Sequence, residues 1–185
     1  MFSVIEPVYK LKVFFIFIFI LLLSACSKID MKQFENNTPK LDLFSFFEGK
    51  TIAYGIFEDR FGNLKRQFKV KMHGKINNGI LTLEEDFYYA DGETDKRVWE
   101  FSKLGEDTYQ GLANDIIGKA IGKEVGNAFN MKYKMDLDLG FAELRVSFND
   151  WMFRIDHETI VNKASISKFG LNIANVTLFF RKNSN

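Results

Sequence analysis

Gln67-Phe68-Lys69-Val70-Lys71-Met72-His73, then Asn77-Asn78-Gly79, then Ile80-Leu81-Thr82-Leu83-Glu84-Glu85-Asp86-Phe87-Tyr88-Tyr89, then Asp91-Gly92: this stretch decides the fold class. Phe68, Val70 and Met72 fall on one face of an extended chain, and Lys69, Lys71 and His73 on the other. That is a period of two, the mark of a half-buried strand. Asn-Gly tolerates positive φ and is a strong hairpin turn, so the chain doubles back after Asn78. Ile80–Tyr89 is the second strand. Asp91-Gly92 turns the chain again, and Arg97–Lys103 returns.

The same pattern continues in both directions. Lys50–Glu58 reads as a strand before an Arg60–Asn63 turn. Beyond the turn at Gly105-Glu106-Asp107 come Thr108–Ala113, then Ala128–Leu137 and Phe141–Phe148 around Leu139-Gly140. Trp151–Asp156, Thr159–Lys168 and Leu171–Arg181 complete nine or ten strands. Turn signals recur about every ten residues, as in an antiparallel sandwich or barrel. A meander of this many strands leaves two bare edges unless it closes. The expected fold is mainly β: a meander closed into a barrel of about eight to ten strands. A barrel of that size is either filled by side chains or holds one small ligand. Asn114–Gly126 breaks the alternation. Gly118, Gly122 and Gly126 are four apart, which predicts a short Gly-rich helix or crossover that closes the barrel, with a mobile lid as the alternative.

The hairpin at Asp91 carries the most informative polar residues. Leu81, Leu83, Glu85 and Phe87 alternate onto one face, so an acid stands in an apolar row. Arg97, Trp99 and Phe101 share a face on the return strand. A hairpin centred on Asp91 places Glu85 opposite Arg97, provided the register holds. The pair is either structural or orients a polar ligand head. Glu85, Phe87, Arg97, Trp99 and Phe101 are therefore the candidate ligand-pocket residues. Asp150, Trp151 and Arg154 form a second acid–aromatic–base cluster, with Trp packing at a strand start as the plainer reading.

The N-terminus reads as a targeting signal. Lys10 and Lys12 precede the unbroken apolar run Val13–Leu23. At about 1.5 Å per residue such a helix spans roughly 16 Å, well short of a hydrocarbon core of about 30 Å. The run fits the apolar region of a secretory signal peptide. It ends in Leu23-Ser24-Ala25-Cys26, the pattern of a bacterial lipobox, with an uncleaved anchor and a chance Cys as the alternative. Cys26 would then carry the acyl chains that hold the protein on a membrane. Ser27, where an Asp would resemble an inner-membrane retention signal, directs the expectation to the outer membrane, facing the periplasm of the cell envelope. The expected organisation is residues 1–25 as signal peptide, 26–43 as lipidated Cys and flexible tether, and 44–185 as the barrel.

Composition bounds the function. The 185 residues carry 25 Lys plus Arg and 24 Asp plus Glu, a net charge of +1. Such a balance argues against a nucleic-acid partner. The single Cys permits no internal disulfide. Phe is abundant at 21 copies, and sixteen of these lie beyond residue 25, enough to line a cavity or to fill a core. The motifs of chemistry are missing. There is no Gly-x-Ser-x-Gly elbow. Gly118–Glu124 has the wrong glycine spacing for a phosphate loop, with Glu124 where Ser or Thr should stand. His157-Glu158 lacks the second zinc-protease His, since Val161 occupies its place. His73 and His157 alone make no metal site. No catalytic residue, metal or cofactor is assigned, and a non-enzyme is expected. An enzyme would have to use Glu85, Asp150 or His157 as acid or base.

A set of ordered blocks resembles a bacterial lipoprotein family, domain of unknown function 3833. The blocks are Leu81-x-Leu83 with Glu85 and Phe87, Asp91-Gly92-Glu93, Arg97-x-Trp99, and Tyr109-x-Gly111-x-Ala113-x-Asp115. Gly118-x-Ala120-x-Gly122, Gly126-Asn127-Ala128, Asp150-Trp151-Met152 and Lys168-Phe169-Gly170 continue the likeness. Asn149 departs from it, standing where a second acid is expected. The resemblance implies an envelope lipoprotein with a lipocalin-like barrel and brings no established activity; fold analogy is not function. The leading expectation is a lipid-anchored barrel that binds a small apolar or amphipathic ligand. The rival is an accessory lipoprotein with a solid core whose surface binds another envelope protein.

Overall fold

In the computed structural model, which describes residues 29–138 and 143–182, ten antiparallel strands close into one barrel. The strands are β1 (Gly49–Asp59), β2 (Leu64–Asn77), β3 (Ile80–Tyr89), β4 (Thr94–Lys103), β5 (Thr108–Leu112), β6 (Ile116–Val125), β7 (Ala128–Asp138), β8 (Glu143–Arg154), β9 (Thr159–Lys168) and β10 (Leu171–Lys182). Each pairs with its neighbours in sequence, and β1 pairs with β10 to close the ring. Closure removes both free edges. The Asn78-Gly79 turn has positive φ at both residues, as a two-residue hairpin of this twist demands.

Alternation fixes what points inward. Val70 and Met72, Leu81 and Leu83, Trp99 and Phe101, Met131, Tyr133 and Met135, and Ile160, Asn162 and Ala164 are buried, while the residues between them are more exposed.

A short helix, α1 (Leu43–Phe47), plugs one end of the barrel. Four of its five residues are buried: Leu43, Phe44, Phe46 and Phe47. Phe47 meets Phe46 and Phe180 edge to face at 5.1 and 5.4 Å. So short a helix has no hydrogen bonds to spare, and its ends are capped from outside. The Asp42 side chain accepts from the Ser45 N–H, and the Leu43 N–H donates to Glu124 Oε1 at 2.6 Å. At the other end Lys182 Nζ donates to the carbonyls of Ser45, Phe46 and Glu48. The hairpins β2–β3, β4–β5, β6–β7 and β8–β9 lie at this plugged end; the β1–β2, β3–β4, β5–β6 and β9–β10 turns lie at the far end.

Three expectations are corrected. Asn114–Gly126 holds no helix or crossover: it contributes strand β6. The fourfold glycine spacing is coincidental to an extended chain. Gly118, at φ +73, sits in the irregularity between Ile117 and Ile121. At Gly122 a Cβ would collide with the Phe129 ring, so glycine there seats an aromatic inside the wall. The second correction concerns Trp151–Asp156, which is not a separate strand. Asn149 and Asp150 look like a break but continue β8 through to Arg154. The third concerns the 26–43 tether. Its later residues are packed on the barrel: Phe34 lies 5.9 Å from Trp151, the Leu41 N–H donates to the Gly126 carbonyl, and Leu41 and Leu43 are buried. Residues 1–25, Cys26, and the expected Leu139-Gly140 turn with Phe141 lie outside the described residues.

Candidate functional site

The barrel is not solid. A cavity of about 420 Å³ runs along its interior, inside the range of small-molecule sites. Leu43 and Phe47 of the plug form its floor. Most of the wall is apolar, from Val70, Met72 and Leu83 to Met131, Phe148 and Ile166. All five pocket residues named from sequence line it: Glu85, Phe87, Arg97, Trp99 and Phe101. Trp99 and Phe101 stack at 5.3 Å, and Tyr133 meets Trp99 edge to face at 5.5 Å and stacks on Phe148 at 4.8 Å.

Glu85 and Arg97 are cross-strand partners, in the register predicted. They do not form the expected ion pair. Arg97 turns instead to Asp115 in the β5–β6 turn, with Nε and Nη2 at 2.7 and 2.6 Å from the same carboxylate oxygen. Two contacts from a planar guanidinium hold it firmly. The Glu85 carboxyl is left facing the cavity without a hydrogen bond or ion pair among the described residues. Desolvation raises its pKa to about 7, against the pull of Arg97 and with the help of Asp115 and Asp150.

Asp150, Trp151 and Arg154 are not one cluster. Successive side chains on β8 point to opposite faces. Asp150 lines the cavity, where burial raises its pKa to about 6 while a hydrogen bond from Asn162 opposes the shift. Trp151 faces out, covered by Phe34 and stacked on Phe153. Arg154 braces the plugged end by donating to the carbonyls of Lys40, Asp156 and His157. His157 is exposed in the β8–β9 turn, away from the cavity. Of the three acid–base candidates, Glu85 and Asp150 are brought together and His157 is not.

Four polar side chains at or beside the cavity escaped the sequence reading: Asp115, Tyr133, Asn162 and Arg66. Tyr133 and Asn162 had a usable signal, since each interrupts an inward apolar row as Glu85 does. The phenol pKa of Tyr133 is driven far upward by burial, which keeps it a neutral donor. Arg66 lies toward the far end of the cavity. It sits 3.7 Å over the Tyr89 ring and pairs with Asp91 at 2.8 Å and Glu93 at 2.6 Å.

The family model described as "Protein of unknown function (DUF3833)" matches residues 20–182. The chain belongs to this family. No curated protein matches it. Among solved structures, the S-type phycobiliprotein lyase CPES from Guillardia theta is similar, with a TM-score of 0.58 and 8% identity over 77% of this chain and 91% of the lyase. A second is EF1p2_mFAP2b bound to DFHBI, with a TM-score of 0.40 and 9% identity over 75% of this chain and 95% of that one. The first likeness establishes the fold alone: this member of the family is a lipocalin-like β-barrel.

Proposed function

We propose that this chain binds a small, mostly apolar ligand inside its barrel. The observation that carries the reading is the cavity of about 420 Å³ with aromatic and Met walls and a few convergent polar groups. A ligand of matching shape would gain dispersion contacts with these side chains and keep apolar wall out of water. The rival of a solid core with a protein-binding surface has this cavity against it. The lyase's resemblance supports the reading only through the shared barrel. The anchor belongs to the same proposal: acylation at Cys26 would hold the barrel on a membrane of the bacterial envelope, the outer one given Ser27, where apolar ligands are abundant.

Native mass spectrometry of the full chain, extracted from a bacterial envelope in mild detergent, tests the binding. A discrete stoichiometric added mass that Trp99→Ala and Phe101→Ala reduce is expected. A bare mass for the folded chain, unchanged when hydrophobic probes are added, overturns it. Labelling with a fatty-acid analogue tests the anchor: wild type should incorporate label and Cys26→Ser should not.

A further inference from the structure

Hydrogen-bond accounting inside the cavity points to the chemistry of the ligand's head. Two carboxyls line the interior beside one guanidinium, Glu85 and Asp150 with Arg97, and a third, Asp115, reaches that guanidinium from the β5–β6 turn. Asp115 uses that guanidinium, both of whose contacts fall on its Oδ2. Glu85 has no partner among the described residues. Among the described residues Asp150 accepts only from Asn162. The Asn162 amide is only 1% exposed, and its orientation is fixed by its N–H to the Trp151 carbonyl at 3.1 Å; its Oδ1 is buried without a partner. Asp115 Oδ1 is likewise unpartnered. Against these acceptors, among the described residues, stand the Tyr133 hydroxyl, on a residue 8% exposed, Arg66 Nε toward the far end, and the Arg97 N–H groups that Asp115 does not take. Unmatched buried acceptors are costly, and a charged group satisfies them best.

We infer that the ligand carries a hydrogen-bond-donating cation, an ammonium or amidinium head on a single apolar tail, seated between Glu85 and Asp150 with Asn162 Oδ1 as a third acceptor. The tail lies along Trp99, Phe101, Met131 and Phe148. Arg97 does not contact the head: it is engaged by Asp115 and keeps that third acid from adding to the negative field. A carboxylate or phosphate head would meet two acids and a guanidinium whose charge Asp115 already balances, which the cavity disfavours.

This inference rests on the binding reading above, and three probes separate the two. Decylamine, decanol and decanoate share a tail and differ in head. Each is titrated calorimetrically into the full chain at about pH 8, where an alkylamine is cationic and a fatty acid anionic. Decylamine should bind at least about tenfold more tightly than decanol, with decanoate weakest. Glu85→Gln and Asp150→Asn should each lower decylamine affinity about tenfold and leave decanol within about twofold. Both changes are isosteric, and melting curves verify folding; should one variant not fold, the other and the wild-type ranking still decide. Decanol or decanoate binding as tightly as decylamine overturns the cationic head but leaves cavity binding standing. Failure of all three to bind wild type overturns cavity binding itself.

Discussion

Two half-buried glutamates in this barrel have the same chemistry and opposite employment. Glu124, near the plug, accepts from the Tyr109 hydroxyl at 2.6 Å and from the Leu43 N–H at 2.6 Å. Glu85, midway along the cavity wall, accepts from nothing among the described residues. Burial raises the pKa of both. At Glu124 the surrounding donors oppose that burial, and the acid fastens the helix to the wall. At Glu85 no hydrogen bond opposes the desolvation, only the nearby charge of Arg97. The plugged end is built for stability and the cavity carries polar groups that stability does not require. A desolvated acid with no partner is more informative about function than one that is fully bonded.

The sharpest way to break the comparison is at the plug. Phe47→Ala removes a side chain only 2% exposed, packed between Phe46 and Phe180. It should cost about 3–5 kcal/mol and lower Tm by roughly 10 °C, read by calorimetry. A loss below about 1 kcal/mol would mean that the plug is not part of the cooperative unit. Glu124→Ala comes next. It strands the Tyr109 hydroxyl and the Leu43 N–H, and should cost about 3 kcal/mol in denaturant unfolding. Glu85→Gln should move the other way and stabilise the protein at neutral pH by about 1–2 kcal/mol, because it removes a desolvated charge that no hydrogen bond opposes. The sign follows from proton binding. Folded Glu85 holds its proton up to about pH 7, against an ordinary value of 4.5. Between those values the folded state binds more protons than the unfolded one, so wild-type stability falls as pH rises from about 4.5 through about 7. Asp150 contributes in the same direction from 3.8 to about 6. Glu85→Gln should flatten the upper part of that decline in melts taken across this range; an unchanged slope would remove Glu85 as its source. The smallest effect sets the scale for ion pairs on the outer wall. Arg145, 62% exposed, holds Asp136 through two contacts at 2.9 and 2.8 Å, and Arg145→Ala should cost under about 1 kcal/mol.

The strand pattern was legible because a closed antiparallel sheet writes itself as alternation, and the Asp91 hairpin register followed from its turn. Glu85 stood out as an acid in an apolar row. Strand β6 was illegible because Gly118, Gly122 and Gly126 mimic a helical spacing, while the reason for glycine at 122 is the Phe129 ring, which lies on another strand. Asp150 was read as a break because Asn149-Asp150 has the composition of a turn; only its placement on the inner face shows otherwise. The Arg97–Asp115 pair follows from the same register arithmetic applied to the next hairpin: the β4–β5 ladder sets Glu100 opposite Leu112, and its extension sets Arg97 opposite Asp115. It went unread because Asp115 lies past the end of β5, in the turn before β6. The blocks that mark the family do contain Asp115, without saying what it touches.

Nine of the ten seams in this wall join strands consecutive along the chain; only β1–β10 joins distant ones, setting Thr51 opposite Lys182. Folding can therefore proceed as a succession of local hairpins, with one long-range closure that must bring together the two ends of the meander. Until that closure forms, β1 and β10 are both open edges and the interior is a groove. The cavity, and with it the desolvation of Glu85 and Asp150, is complete only at the step that joins them. The same adjacency makes the ladders indifferent to where the ring is cut: linking residue 182 to residue 49 and reopening the Leu104–Asp107 turn would preserve every ladder in a different order, in a ring that lacks the Leu43–Phe47 plug.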